Sequence, residues 1–385
     1  METVLITDGE QRSALAVARS LGSAGYRILV ASAHPLPMAG GSRFCQRSFR
    51  TPDPTTDPIG YTDSIAAISK REPTDWVIPI TESALKCLLP ARQRLSGQLP
   101  FPSSEVFEAV SNKARLLQVA RDAGIDVPQQ VVVVSAEESP PVWSGSWPLV
   151  VKPSRSVNAG HRYSVRYASN QEELQACICA MPSSAFPLLL QERVIGPGTG
   201  VFLLVWDGIV RATFAHRRIR EKPPSGGVSV VAESIEADPE LVAASARLLQ
   251  QFGWQGVAMI EFKHDTRSGR TVLMEVNGRF WGSLQLAVES GVDFPRLLLA
   301  SAAGHVAEPP PPFRVGHRVR WWWGDVDQVF MRLRGTARGL NLVESTPARR
   351  RAIRDFLVER AQNEILHLDD PWPAVRETIN WVLRR

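Results

Sequence analysis

The chain has 385 residues, with 44 Lys plus Arg against 39 Asp plus Glu and a formal charge of +5. That length predicts two or three domains at roughly 150 residues each, and 44% apolar with 22% charged residues excludes extended disorder. Residues 1–312 hold 30 basic and 30 acidic side chains, and residues 313–385 hold 14 and 9, so the first four-fifths shows no nucleic-acid footprint.

In chain order, Val4–Thr7 predicts a buried strand, Ser13–Leu21 a helix ended by Gly22, and Arg27–Ala31 a second strand. The opening residues Met1–Asp8 carry an acid where a secretory signal carries bases, so they read as the first strand of a cytoplasmic protein. The turn Asp8-Gly-Glu-Gln-Arg12 is not G-x-G-x-x-G, so the dinucleotide fingerprint is missing. The Pro-rich stretch Thr51–Pro58 reads as a loop, Asp63–Lys70 as a helix and Trp76–Ile80 as a strand. Thr81 and Glu82 follow that strand's carboxyl end, where open α/β sheets bind ligands. A helix-capping role accounts for this pair equally well.

Beyond residue 100 the pattern changes. Ser111–Ala123 predicts a helix closed by Gly124, and Val131–Val134 and Leu149–Lys152 predict strands. Strands then dominate, at Leu188–Glu192, Phe202–Trp206, Ile209–Ala215, Val228–Val231, Val257–Phe262 and Thr271–Val276, with one helix at Pro239–Phe252. An α+β unit thus follows an α/β one. Pro309–Pro312 marks a further boundary before a tail with five of the eleven Trp. No apolar run reaches the ~18 residues of a membrane span. Cys45, Cys87, Cys177 and Cys179 lack zinc spacing and read as reduced structural thiols.

The chemistry concentrates at Met259-Ile-Glu-Phe262 and Met274-Glu-Val-Asn-Gly-Arg279. Alternation along a strand puts Glu275, Asn277 and Arg279 on one face, and a hairpin brings Glu261 beside them. Two carboxylates and an amide oxygen suit Mg²⁺, which leaves positions for phosphate and water. A solvated strand face has the same pattern. Lys152 closes an apolar strand before Ser154-Arg-Ser-Val-Asn-Ala-Gly160, a small-residue loop whose backbone donors suit phosphate. Lys113 lies on the helix that opens the region, and Leu188–Glu192 ends in a polar pair before Gly196-Pro-Gly198. Each of these alone is also what a solvated lysine or a plain buried strand looks like.

In this order and spacing the residues resemble the ATP-grasp superfamily, in particular its carboxylate–amine ligase branch, related in fold to biotin carboxylase and carbamoyl-phosphate synthase. The matching elements are Lys113, Lys152, Gln191-Glu-Arg-Val194, Glu261 and Glu275-Val-Asn-Gly-Arg279, and the resemblance spans roughly residues 1–305. It implies a Rossmann-like α/β pre-ATP-grasp domain over 1–105 and an α+β ATP-grasp domain over 106–306. The latter divides into a lysine and phosphate-loop part, 106–187, and a metal part, 188–306. A small, mostly helical C-terminal region, 313–385, is expected as an accessory. ATP and Mg²⁺ (or Mn²⁺) are the implied cofactors. Lys113, Lys152 and Ser154 with its loop would meet the phosphates, and Gln191, Glu192 and Val194 the adenine. Glu261, Glu275 and Asn277 would hold metal, and Arg279 would stabilise the transferring phosphoryl group. Gly196–Gly200 stands where many members place a ribose-binding acid, so the ribose partner stays unassigned.

His216–Ser229 is similar to the family's stretch that carries a basic residue to the acid substrate. Arg218 is favoured over Arg217, in register with His216 and Arg220, and Ser225-Gly-Gly227 would form a flap. The expected activity is ADP-forming ligation: a carboxylate becomes an acyl phosphate, and an amine displaces phosphate. The partners are then a small carboxylic acid and an amine. A bicarbonate-activating enzyme of the biotin-carboxylase type and an ATP-binding regulator without turnover are the alternatives. No biotin-attachment motif is present. The tail's Arg349–Arg354 run reads best as the solvated face of a subdomain whose Trp residues pack on the core, with homodimer packing left open.

Overall fold

The computed structural model describes all residues except 138–140, 156, 159–160, 164, 225, 306–311, 335–345 and 384–385. Parts of the expected phosphate loop, of the flap and of the proline boundary lie outside the described residues.

The N-terminal sheet has four parallel strands. Thr3–Ile6 lies between Arg27–Ser32 and Trp76–Ile78, with Cys45–Arg50 outside Arg27–Ser32. Val4, Leu5 and Ile6 are wholly buried, as continuous apolar strands of a parallel sheet must be. Cys45–Arg50 was not expected, because Cys-Gln-Arg-Ser-Phe-Arg has no apolar run. Its polar residues suit an edge strand.

Local capping corrects two helix boundaries. The helix Pro58–Arg71 starts inside the expected loop, because Asp57 Oδ1 accepts from Gly60 N (2.8 Å) and Pro58 takes the first helical position. The helix expected over 111–123 runs Lys113–Asp122, and a helix not expected, Ser104–Ser111, precedes it. Asn112 separates the two with extended backbone, and its Oδ1 accepts from Ala114 N (3.1 Å) and Arg115 N (3.2 Å). That cap places Lys113 at the start of the second helix, where its N–H donates to Ser154 O (2.9 Å).

Two further sheets follow, antiparallel throughout except for the last pair of the second, Arg318–Arg320 with Gln362–Asn363, which is parallel. Gln130–Val133, Leu188–Glu192, Leu149–Pro153 and Arg166–Ala168 form one, over a small core that includes Leu149, Val151, Leu174, Ile178 and Leu188. The other runs Thr271–Asn277, Gly256–His264, Gly198–Trp206, Ile209–Lys222, Val228–Ser234, Arg318–Arg320 and Gln362–Asn363. Its last two strands belong to the tail, so residues expected as an accessory extend the central sheet. The tail is also bound to the first helix, Arg12–Ser23: Arg19 Nε donates to Asp370 (2.9 Å), and Arg12 pairs with Glu364. Of the tail's Trp, which were expected to pack on the core, Trp321 does so beside Arg12, whereas Trp323 stacks on Trp381 (4.0 Å) within the tail and Trp322 and Trp372 are exposed. Among the described residues no helix is long and apolar enough to cross a membrane.

Candidate active site

One cavity of about 560 Å³ opens between the two mainly antiparallel sheets, and most of the expected residues reach it. Lys152, Gln191, Glu192, Val194, His216, Arg218, Glu261, Glu275, Asn277 and Arg279 all line its wall. Lys113 joins Glu275, Asn277 and Arg279 in an adjoining cleft, which Glu82 also borders.

The register of the hairpin makes the carboxylate pair. Glu261 stands directly opposite Glu275, and Met259 opposite Asn277. Asn277 Nδ2 donates to Glu275 Oε1 (3.1 Å), and Arg279 Nη2 donates to Asn277 Oδ1 (3.2 Å). Lys113 Nζ lies 3.3 Å from Glu275 Oε2. Arg218 reaches across the intervening strand Gly198–Trp206 to Glu261, and its Nη1 donates to Glu221 Oε1 and Gly227 O, both at 3.0 Å.

These charges separate the two carboxyls. Burial pushes Glu261 up, and Arg218 only partly offsets it. Burial acts on Glu275 too, but Lys113 and Lys152 together outweigh it and hold the group at about 2. A proton shared by the pair would sit on Glu261. Arg218 is held above its ordinary value, because Glu261 and Glu221 outweigh its burial. Burial and then the neighbouring Lys113 bring Lys152 down to about 8.

The donor set fits a hard divalent cation. Among the described residues no three His, Cys, Asp or Glu converge on one point. The protein therefore offers two carboxylates and an amide, and phosphate and water would complete the shell, as Mg²⁺ prefers.

The lowered Lys152 yields a pH prediction. Phosphate bound beside it would restore its proton, so ATP binding should take up a proton near pH 8.5, and affinity should fall as pH rises through about 8. Calorimetry in buffers of different ionisation enthalpy reads that uptake, and zero uptake in wild type would refute it.

The hinge is held from below. Glu192 N donates to Gln129 O (2.9 Å), and Glu192 Oε1 meets Arg270 (3.3 Å). Arg267 Nη2 donates to Arg193 O (2.6 Å), and Thr266 N to Ile195 O (2.9 Å). Gln191 is buried and its amide donates to Gln130 Oε1 (3.2 Å). Gly196 has φ +156°, and a Cβ there would lie 1.8 Å from His264 O, so the hinge fits glycine only.

Three expected residues stand elsewhere or act differently. Arg217 faces away from the cavity, paired with Glu233. Ser154 is buried behind the wall, where its N–H donates to Pro187 O (2.9 Å) and its carbonyl receives Lys113 N. Glu82 pairs with Lys86 (2.8 Å), and Thr81 caps its helix, Oγ1 accepting from Ala84 N (3.1 Å). Arg220 also leaves the face of His216 and Arg218. A bulge between Arg218 and Glu221 flips the alternation, sending Arg220 to Asp325 and returning Glu221 to Arg218.

His216 is buried with its imidazole pressed down to about 3, by burial and then Arg218, so it is neutral. Its Nδ1 lies 3.3 Å from Ser283 Oγ, and Nε2 has no hydrogen-bond partner among the described residues. Arg12, Glu221, Lys263, Trp281 and Ser283 also line the cavity and had no motif to mark them. Arg12 was legible in one respect: it follows the central parallel strand's carboxyl end. Its Nη2 donates to Ser229 O (3.2 Å), and its guanidinium lies 4.3 Å over Trp321.

Residues 184–324 match the family described as "ATP-grasp in the biosynthetic pathway with Ter operon". No curated protein sequence matches the chain. Three similar solved structures illustrate the likeness. An L-amino acid ligase from Bacillus licheniformis is 19% identical, with 83% of this chain and 78% of that one covered and a TM-score of 0.64. The biotin carboxylase domain of Hydrogenobacter thermophilus 2-oxoglutarate carboxylase, in complex with MgADP, ADP and bicarbonate, is 15% identical (82% and 73%, TM-score 0.62). The N5-carboxyaminoimidazole ribonucleotide synthetase of Thermotoga maritima is 16% identical (83% and 79%, TM-score 0.55). As many as 390 solved chains match, so the fold alone does not select a substrate. The chain has the ATP-grasp fold, and residues 184–324 carry the family's sequence pattern.

Proposed function

We propose that the protein is an ADP-forming ligase that activates a carboxylate as an acyl phosphate and joins it to an amine. The observation that supports this most is the convergence of Lys152, Arg218, Glu261, Glu275, Asn277 and Arg279 on one cavity, with Lys113 bridging to Glu275. Similar folds in an L-amino acid ligase and a ribonucleotide synthetase support the class.

Each residue then has a physical task. Lys113 and Lys152 hold phosphate oxygens, with Ser154 fixing the backbone between them. Gln191, Glu192 and Val194 line the place for the adenine. Glu261, Glu275 and Asn277 would hold Mg²⁺ (or Mn²⁺), which supplies charge neutralisation on the phosphates. Arg279 and Arg218 face the developing negative charge with donors fixed in advance, the largest electrostatic contribution such a site can make. Arg218 is oriented by Glu221 and the Gly227 carbonyl, so its position does not depend on the substrate. His216, neutral at every working pH, offers a hydrogen bond without adding charge. No side-chain nucleophile is required.

The experiment is incubation with ATP, Mg²⁺ and pooled acids and amines, read as phosphate release. Release that requires both an acid and an amine supports the ligase. Release with bicarbonate alone would favour the carboxylase type, and nucleotide binding without release on any pool would favour a regulator.

A further inference from the structure

The excess positive charge of the tail has a structural destination. Beside the bulge in Ile209–Lys222 lies a second cavity, of about 780 Å³, bounded by that strand, by residues 314–318 before and within Arg318–Arg320, and by the helices Trp322–Arg334 and Thr346–Val358 with the turn that follows. Among the described residues five arginines line it, Arg220, Arg314, Arg318, Arg332 and Arg360, with His317, against two acids, Asp355 and Glu359.

The acids are shared among several arginines. Glu359 is divided between Arg220 (3.1 Å) and Arg318 (3.8 Å). Outside the cavity, Asp325 is divided between Arg220 and Arg320, and Glu233 between Arg217 and Arg318. Arg314 and Arg360 are exposed and form no ion pair among the described residues. Like charges gathered around a concavity repel, and their fields add within it to raise the local positive potential. Guanidinium forks of this kind recognise oxyanions in bidentate fashion.

We propose that this cavity is a binding site for a compact, multiply charged oxyanion, of polyphosphate or polycarboxylate type, separate from the ATP cavity. It does not rest on the ligase reading. The concave shape and limited volume favour a small molecule over an extended nucleic acid. Arg218 and Arg220 stand on opposite sides of the bulge, one in each cavity, so a ligand here lies beside the strand that orients the candidate catalytic arginine.

The test is calorimetric titration of the full chain with inorganic tripolyphosphate and, separately, citrate. Three proteins are compared: wild type, Lys113→Ala/Lys152→Ala, and Arg314→Ala/Arg360→Ala. The exposed arginines can be removed without loss of a folded-state partner, and circular dichroism checks the fold. The lysine variant should still take up one equivalent of at least one anion, and the arginine variant should bind it about tenfold or more weakly, the loss of one or two charge-assisted hydrogen bonds. The stronger of the two anions then identifies the headgroup chemistry. Uptake unchanged in the arginine variant, uptake abolished by the lysine substitutions, or binding only of a polymer such as poly(U) would overturn the proposal.

Discussion

Glu275→Gln is expected to lower magnesium-dependent turnover by about 10²-fold or more, the scale on which preorganised electrostatic groups contribute. The substitution keeps the shape of the side chain and its bond to Asn277, so folding should survive. What it removes is the negative charge between Lys113 and Lys152. That carboxyl is held at about 2, so wild type keeps its charge throughout the neutral range and loses it only as pH falls toward that value. The variant carries a distinguishing signature. Without metal, ATP should bind as well as to wild type or better, because a charge that repels phosphate is gone, while the gain on adding Mg²⁺ should disappear. Titrations with and without Mg²⁺, alongside steady-state rates, separate this from general damage. Full activity in the variant would remove Glu275 from the metal site.

Asp325→Ala is expected to cost about 3–5 kcal/mol of stability, the usual penalty for breaking a buried charge network from one side. Asp325 is fully buried and accepts from Arg220 Nη2 (2.7 Å), Arg220 Nε (2.8 Å) and Arg320 Nε (2.7 Å). Its loss leaves two enclosed guanidiniums with Glu359 alone. Replacing the three residues together by apolar ones of similar volume should cost less than the single change, since no unpaired charge is then left. Urea denaturation measures both. Equal stability of Asp325→Ala and wild type would mean the cluster is better solvated than its burial indicates.

The site was legible in the sequence where chemistry and alternation coincide. E-x-N-x-R on a strand fixes three side chains on one face, and the hairpin register then brings Glu261 opposite Glu275. Lys152 was marked by its place at the end of an apolar run. Arg12 and Glu364 could not be paired from sequence, being 352 residues apart and joined only by the packing of the tail on the first helix. The bulge at Ile219 was equally hidden, because a one-residue slip leaves no compositional trace and yet reverses which arginine faces which cavity. The edge strand Cys45–Arg50 shows the same limit from another side: an edge strand satisfies its backbone through one neighbour and needs no apolar pattern.

The most direct test of the central claim uses hydroxylamine as a general amine. The protein is incubated with ATP, Mg²⁺, hydroxylamine and fractionated small-molecule extract, and the products are read by mass spectrometry, with Glu275→Gln as the control. The predicted result is ADP and phosphate, formed together with the hydroxamate of one acid, in wild type and not in the variant. AMP and pyrophosphate, or bound ATP with no hydroxamate from any fraction, would contradict it.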